Sequence, residues 1–182
     1  LEQVMDQGRS VHQAILGKAK CVISVSLYKA GLGYGAKIGK GVTSCRVGES
    51  SWSAPSMTRL GGISAGLQVG LSRVHVLFFI MSEDAKERLL DGFIGFEAGV
   101  NVTFGEDDLN GNIDFEQPVY SVVNSKGIFA GLTIEGSYLK QMSRSNSNIY
   151  GPELTNYEIL TGKAILPEEL SSFTKQLEYY TK

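Results

Sequence analysis

The stretch of residues 51–80 constrains the fold more than any other part of this chain. From Ile63 to Leu71, apolar residues alternate strictly with Gly, Ser or Gln. This period of two predicts a β-strand with one apolar face and one face almost bare of side chains. Glycine weakens a strand unless another backbone comes close, so the bare face predicts tight packing against a second layer. Residues 74–80 follow as an almost wholly apolar run, which predicts a buried central strand.

The rest of the chain carries both strand and helix signals. Further strands are predicted over residues 21–28, 31–47, 93–104, 113–124 and 128–139. Helices are predicted within residues 1–20, after the N-cap candidate Ser82, over residues 152–160 and from Pro167. We interpret residues 37–41 as a hairpin turn and residues 144–148 as a polar loop. The expected fold is α+β, with a β-rich antiparallel sheet or barrel-like core, an N-terminal helix, one central helix and C-terminal helices.

Size and composition predict one domain over residues 1–182. A chain of 182 residues can bury about 70% of the surface that it exposes when unfolded. The sequence contains no apolar run of the ~20 residues that a membrane-spanning helix needs. It begins at Leu1 rather than Met, so the lack of a secretory signal says nothing about its compartment.

The two cysteines, Cys21 and Cys45, do not form a metal-binding pattern. They lack C-x-x-C spacing and have only His12 and His75 as further soft ligands, so no zinc site is expected. Buried free thiols are the preferred expectation. A bridge between the first two strands is the alternative.

Charge is divided unevenly along the chain, although the net charge is only −2. Residues 7–48 contain no acid, whereas residues 83–116 contain ten acids against two bases. A localised basic region attracts anionic surfaces whatever the net charge. The alternative is that the two regions neutralise each other in the fold. The basic residues of the first region are Arg9, Lys18, Lys20, Lys29, Lys37, Lys40 and Arg46.

The N-terminal helix has two interpretations. The spacing of Val11, Ala14 and Ile15 fits a short amphipathic helix. As a membrane-surface helix it would turn Val11, Ile15 and Leu16 toward lipid. As a cap it would fold over an open barrel or sheet. The cap is preferred, because the apolar face is short and lacks Trp and Phe.

Several motifs approach known chemistry without meeting its requirements. Residues 62–66 match G-x-S-x-G, but unbroken strand alternation leaves no nucleophile elbow. The glycines of residues 31–41 do not have the spacing of a phosphate-binding loop. The acidic segment around Asp108 resembles a shortened calcium loop, in which Glu106, Asp107 and Asp108 would hold a cation only weakly. We predict no catalytic residue, no metal site, no cofactor and no nucleic-acid partner.

Four segments resemble the SYLF domain family, also called the Ysc84 actin-binding family. The third of these segments is fairly specific by itself, and together they span nearly the whole chain. They are W-S-A-P-S at residues 52–56, G-L-Q-V-G at 66–70, S-K-G-I-F-A-G-L-T-I-E-G at 125–136 and N-I-Y-G at 148–151.

The resemblance implies a non-enzymatic module that binds anionic membrane lipids, phosphoinositides among them, and in fungal members binds actin filaments. Features of residues 54–62 and 81–86 look more like the bacterial branch, whose members are commonly exported envelope proteins. A bacterial exported or periplasmic, membrane-associated protein is therefore expected; a cytoplasmic peripheral membrane protein is the alternative. The oligomeric state is left open.

One departure from the family pattern shifts attention to the basic region. Many members carry G-P-x-G-R where this chain has the acidic residues 105–112, without an arginine. Headgroup contacts would then come from the N-terminal third, with Lys18, Lys20, Lys29, Lys37, Lys40 and Arg46 as the candidates. The alternative function is a structural or protein-interaction module of the cell envelope, or actin-filament binding as in fungal relatives.

Overall fold

The computed structural model describes residues 9–96, 102–103, 118–124 and 136–181; for residues 9–13, 29–34, 64–72, 102–103 and 123–124 it describes the backbone. The fold is α+β, as predicted; within the described residues it has one six-stranded sheet, with helices at both ends and in the middle. The strands are β1 Cys21–Cys45, β2 Ser56–Ile80, β3 Phe93–Phe96, β4 Val102–Thr103, β5 Val119–Asn124 and β6 Ser137–Gln141. The helices are α1 Arg9–Lys18, α2 Glu83–Leu90, α3 Ser143–Tyr150, α4 Asn156–Leu160 and α5 Ser171–Thr181, with a 3-10 turn at Glu168–Leu170.

The sheet is built on one long hairpin. β1 and β2 are each 25 residues long and pair antiparallel from Cys21↔Ile80 to Thr43↔Ser56. On the other edge of β2, β6 pairs with its first part and β5 with its last part. β3 extends the sheet beyond β6, and the short β4 runs parallel to β5; the other pairs are antiparallel.

The predicted hairpin turn at residues 37–41 is wrong, because these residues continue the β1 ladder with β2. Their glycines serve a close approach instead. A Cβ on Gly41 would lie 1.9 Å from the Ser24 carbonyl oxygen, and one on Gly39 would lie 2.5 Å from Val25 Cγ1. The late part of β1 therefore packs directly on its early part, which only glycine permits at these two positions. The actual turn of the hairpin lies at residues 46–55.

The curl of β1 brings its first and last residues together. The Cα atoms of Cys21 and Cys45 lie 3.9 Å apart, and their sulfurs form a disulfide. The expectation of free thiols is therefore wrong, and the bridged alternative holds. The sequence did not favour this pairing, because both cysteines lie at the ends of one long strand and a straight strand of this length would hold its ends far apart.

The helices follow their local signals, with one exception. Ser82 caps α2 as predicted: its hydroxyl oxygen accepts a hydrogen bond from the Ala85 N–H. Residues 144–148, predicted as a loop, lie within α3. This helix has no apolar stripe because its buried contact is polar: Asn146 is 3% exposed and bonds to β2. A hydrophobic pattern cannot reveal a helix that is held in place by hydrogen bonds.

Two hydrophobic clusters occupy the two faces of the sheet. On the inner, concave face, alternate residues of β1 and β2 pack with α2, β3 and β6; Ile23, Phe78 and Leu139 are fully buried there. On the outer face, Leu77 and Phe79 pack against α1 and α5. The predicted central strand is thus buried on both faces over residues 76–80, as its apolar character indicated, whereas His75 is exposed.

Candidate functional site

The six cations predicted to bind headgroups do not form one surface. Lys20 is ion-paired, with its Nζ 2.6 Å from Glu83 Oε1. That hydrogen bond is the main reason why the pKa of Glu83 is lowered. Lys18 is exposed at the end of α1, and the Lys29 side chain lies outside the described residues. This ion pair thus neutralises one positive charge of the basic N-terminal region with one negative charge of α2.

Lys37 is a buried residue, contrary to its predicted role at the surface. It is 1% exposed, points to the inner face, and places Nζ 3.2 Å from the hydroxyl oxygen of Ser137. A side chain in this position cannot reach a headgroup. Lys37 is buried because side chains alternate along a strand: odd-numbered residues of β1 face inward, whereas even-numbered residues such as Lys40 face outward.

Arg46 is also engaged within the fold. Its guanidinium donates to the carbonyl oxygens of Ala19 at 3.1 Å and Leu16 at 2.8 Å, and lies 4.6 Å from the centre of the Trp52 ring. A cation at the end of α1 satisfies carbonyls that the helix leaves unpaired. Partial burial lowers the pKa of Arg46. Because its guanidinium is engaged in these contacts, Arg46 is not available to bind a lipid headgroup.

The membrane-facing role predicted for α1 conflicts with the burial of its side chains. Ile15 and Leu16 are both fully buried, in one cluster with Phe79 and Leu177. The side chain of Val11 lies outside the described residues. The burial of Ile15 and Leu16 thus contradicts a membrane-facing role for these two residues and supports the preferred interpretation, in which α1 caps the sheet. Within the described part of the chain, no helix is long and apolar enough to cross a bilayer.

Among the predicted cations whose side chains the structure describes, Lys40 is the one that reaches open surface on the sheet, and it stands in a row that the sequence did not reveal. Lys40 of β1 lies opposite Arg59 of β2, which in turn lies opposite Lys140 of β6. All three side chains are exposed on the outer face. None of them forms an ion pair or a hydrogen bond with another residue that the structure describes. We call these three residues the basic row.

Apolar side chains stand beside the basic row on the same face. Ile38 is 61% exposed, Ile63 78%, Phe93 53% and Tyr138 38%; we call these four residues the apolar ridge. The rings of Phe93 and Tyr138 stack at 5.9 Å. Tyr138 lies across Gly61, where an added Cβ would be 2.7 Å from its ring. Only a glycine in β2 leaves room for the ring in this position.

The outward-facing apolar residues of β2 therefore have different roles at the two ends of the strand. Both Ile63 and Leu77 belong to the outer face, because both are odd-numbered residues of β2. Leu77 is covered by α1 and α5, whereas Ile63 is exposed. On the bare side, Gly62 meets its paired residue of β6, with Ser137 Oγ 2.7 Å from where its Cβ would be; this neighbour belongs to the same sheet and not to the second layer that was predicted.

One of the family-like segments, W-S-A-P-S, contributes Ser56 to a buried polar network. Asn146 donates to Ser56 Oγ at 2.9 Å, and Ser56 Oγ donates to Asn156 Oδ1 at 2.6 Å. Asn156 in turn donates to the carbonyl oxygens of Leu89 and Leu90, at 3.0 Å each. The network links β2, α2, α3 and α4. These polar residues are structural, since each buried group finds a partner within the fold.

The W-S-A-P-S and N-I-Y-G segments contact each other through a hydrogen bond. The Tyr150 hydroxyl donates to the Pro55 carbonyl oxygen at 2.5 Å, and burial raises the pKa of Tyr150 to about 12. Trp52 of the W-S-A-P-S segment is 5% exposed within the outer cluster. These contacts give both segments a role in stabilising the fold.

One pair of side chains has the elements of acid–base chemistry. Ser26 and His75 lie opposite each other on β1 and β2, with Ser26 Oγ 3.1 Å from His75 Nδ1. Partial burial, and then the charge of Arg73, lower the pKa of His75. Within the described residues no carboxylate contacts this histidine to orient it, as a Ser-His-Asp site requires. The Ser of G-x-S-x-G, Ser64, lies within β2 rather than at an elbow.

No metal ligands converge among the residues that the structure describes. The acidic segment with Glu106, Asp107 and Asp108 lies outside those residues, so the structure does not test whether it holds a cation weakly. The S-K-G segment at residues 125–135 also lies outside them.

Comparison with known proteins identifies relatives of eukaryotic origin. Protein YSC84 of Saccharomyces cerevisiae is 28% identical over 97% of this chain and 39% of its own length. LAS seventeen-binding protein 3 of the same yeast is 28% identical over 97% of the chain and 40% of its length. SH3 domain-containing YSC84-like protein 1 of Rattus norvegicus is 28% identical over 90% of the chain and 52% of its length.

The chain spans about two fifths to one half of these relatives. No solved structure gives a significant match. The family profile of Ysc84, described as a Las17-binding protein actin regulator, matches residues 61–180. This match covers well over half of the chain and includes most of β2, Asn146 and Asn156 of the buried polar network and the C-terminal helices, so the chain belongs to the Ysc84 family.

Proposed function

We propose that this chain is a non-enzymatic module that binds anionic membrane surfaces, phosphoinositide-containing ones among them, through the basic row. The observation that carries the proposal is the cross-strand alignment of Lys40, Arg59 and Lys140. Like charges directly opposite each other destabilise a sheet, because neighbouring side chains lie about 5 Å apart. An anionic partner offsets this repulsion.

The surroundings of the row support an anionic partner. None of the residues in β1, β2, β3 or β6 is an acid. A Lys or Arg near an anionic bilayer contributes about 1 kcal/mol, so three acting together supply about 3 kcal/mol, which is about a hundredfold in affinity. This location differs from the one predicted from sequence, since Arg59 and Lys140 lie outside residues 7–48.

Sedimentation with liposomes tests the proposal. The full chain is mixed with neutral vesicles or with vesicles that contain anionic lipid, each at low and moderate salt. We expect binding to anionic vesicles only, weakening as salt rises, since screening shortens the reach of surface charges. Failure to bind anionic vesicles at low salt contradicts the proposal.

A matched pair of variants locates the site. The triple variant Lys40→Glu, Arg59→Glu, Lys140→Glu should bind at least about a hundredfold more weakly. The control is Arg144→Glu, Lys163→Glu, Lys175→Glu, which changes exposed residues outside the strands by the same total charge. Equal loss in both variants means that net charge, and not the row, governs binding.

A second candidate function is protein binding, favoured by the names of the relatives. The family is described as an actin regulator, and one yeast relative is named as a LAS seventeen-binding protein. Actin filaments are acidic polymers in general chemical terms, so the basic row also suits them. Co-sedimentation with filaments in the absence of lipid separates the two functions, and the same row and control variants show whether the site is shared.

We also propose an oxidising compartment for this chain, either exported or periplasmic, with a cytoplasmic peripheral location as the alternative. The disulfide between Cys21 and Cys45 supports the first, since disulfides persist mainly outside reducing cytoplasm. Thiol labelling of the chain trapped in its own cells tests this. Quantitative labelling of both cysteines under denaturing conditions favours the cytoplasmic location.

A further inference from the structure

We infer that the apolar ridge enters the bilayer, so that this face of the sheet inserts side chains among the lipids and does not only rest on their headgroups. The inference rests on the proposed membrane function and adds the mode of contact. It concerns Ile38, Ile63, Phe93 and Tyr138, which stand on the outer face together with the basic row.

The two ends of the outer face provide the first argument. At one end, apolar residues such as Leu77 and Phe79 are covered by α1 and α5 and are at most 1% exposed. At the other end, residues of the same face and strand parity are exposed, and Ile63 reaches 78%. Large apolar side chains that stand together in water mark a surface that meets an apolar partner.

The positive charges beside the apolar ridge indicate which kind of partner binds there. Lys140 lies directly opposite Phe93 in the next strand, and Lys40 lies two residues from Ile38, about 7 Å along β1. The basic row therefore reaches any surface that the ridge touches. A partner must offer negative charge and apolar contact side by side over this distance, and an anionic bilayer offers both across its whole surface.

The aromatic pair fits the same occupant. Phe93 and Tyr138 stack at 5.9 Å, and the Tyr138 ring is held over Gly61. A tyrosine with a polar hydroxyl and an apolar ring is typical of the membrane–water boundary.

A tryptophan reporter tests insertion directly. The chain has one tryptophan, Trp52, which is 5% exposed. The variant Phe93→Trp adds a reporter on the ridge, and Tyr179→Trp adds a matched reporter on α5, where the native tyrosine is 67% exposed. Each is bound to anionic vesicles whose acyl chains carry bromine, which quenches only tryptophan that reaches the acyl region.

We expect blue-shifted emission and strong quenching for Phe93→Trp, and no change for Tyr179→Trp or for the unmodified chain. If Phe93→Trp sediments with the vesicles but its emission stays unchanged, the ridge does not insert, while the proposed membrane function stands. If the unmodified chain does not sediment with anionic vesicles, the proposed function itself fails. Binding to actin filaments with equal shielding of the reporter would assign the ridge to a protein partner and overturn the inference.

A second measurement separates insertion from electrostatic attraction. The variant Ile38→Ser, Ile63→Ser should bind about tenfold more weakly at every salt concentration, because part of the apolar burial is lost. The matched control is Ile165→Ser, Tyr157→Ser, which removes exposed apolar side chains outside the sheet; Ile165 is 90% exposed and Tyr157 53%. Far-UV circular dichroism confirms folding of each variant, and equal affinity of the two variants overturns the inference.

Discussion

Lys40 and Arg59 face each other across the β1–β2 hairpin, both exposed, on the two longest strands of the sheet. Lys140 extends the same line on the third strand. The alignment joins stability to function, since a repulsive row is unfavourable in the free protein and becomes favourable on an anionic surface.

We therefore expect the basic row to lower the stability of the free protein and to strengthen its binding to anionic surfaces. The variant Arg59→Gln should raise the free energy of unfolding by a few tenths of a kcal/mol, up to about 1 kcal/mol, because it removes the central like charge. The same change should weaken binding to anionic vesicles about fivefold. Urea denaturation and liposome sedimentation measure the two effects.

The control for this trade is Arg88→Gln, which removes an exposed cation that lies 3.2 Å from Asp84 in α2. It should lower stability slightly, by about 0.3–0.5 kcal/mol, and leave vesicle binding unchanged. A loss of stability in Arg59→Gln as large as that in Arg88→Gln would show that the row is not repulsive.

The disulfide should contribute strongly to stability. It closes a loop with a sequence separation of 24. In the chain-entropy account such a crosslink is worth about 3 kcal/mol, so Cys21→Ser, Cys45→Ser should lower the free energy of unfolding by about that amount. Denaturation of the unmodified chain with and without reductant provides an independent measurement. Equal stability under both conditions would contradict the prediction.

The buried network should depend on each of its amides. Asn156→Ala removes two hydrogen bonds to carbonyl oxygens of α2 and takes away the acceptor of the Ser56 hydroxyl proton. We expect a loss of about 2–4 kcal/mol in thermal or urea unfolding. Asn148→Ala, at an exposed position of α3, is the matched control and should change stability by less than about 0.5 kcal/mol.

Tyr150 should make stability fall at high pH. Its pKa is raised to about 12 in the folded chain, against about 10 for an unfolded tyrosine. The neutral form is thus favoured by folding. The stabilisation is fully present below pH 10 and is lost as pH rises toward 12.

Comparison with Tyr150→Phe isolates this titration from the other tyrosines and the lysines. The stability advantage of the unmodified chain over Tyr150→Phe should shrink between pH 10 and 12, as measured by urea denaturation at each pH. An advantage that stays constant over this range would mean that the tyrosine ionises equally in both states.

Two glycines should respond oppositely to the same substitution. A Cβ on Gly41 would lie 1.9 Å from a backbone oxygen, so Gly41→Ala should destabilise severely or prevent folding. At Gly17, near the end of α1, nothing lies within 4 Å of an added Cβ. Gly17→Ala should therefore be neutral or stabilise by up to about 1 kcal/mol in thermal unfolding.

Local physics, as written in the sequence, determined the individual elements. The period-two pattern identified β2 and its buried end, Ser82 identified the start of α2, and the spacing around Ile15 identified α1. Each depends on residues close in the chain. The α+β class and the family resemblance followed from the same signals, and the family match confirmed the resemblance.

Tertiary structure alone decided which side chains meet. The pairing of Cys21 with Cys45 and the burial of Lys37 result from the curl of β1, and α3 is held by Asn146 through contacts distant in sequence. The basic row depends on register, because Lys40, Arg59 and Lys140 become neighbours only when three strands align. The sequence by itself showed the charges of this chain and their parity along each strand; register and curvature, which arise from packing over the whole sheet, decided which of those charges share a surface.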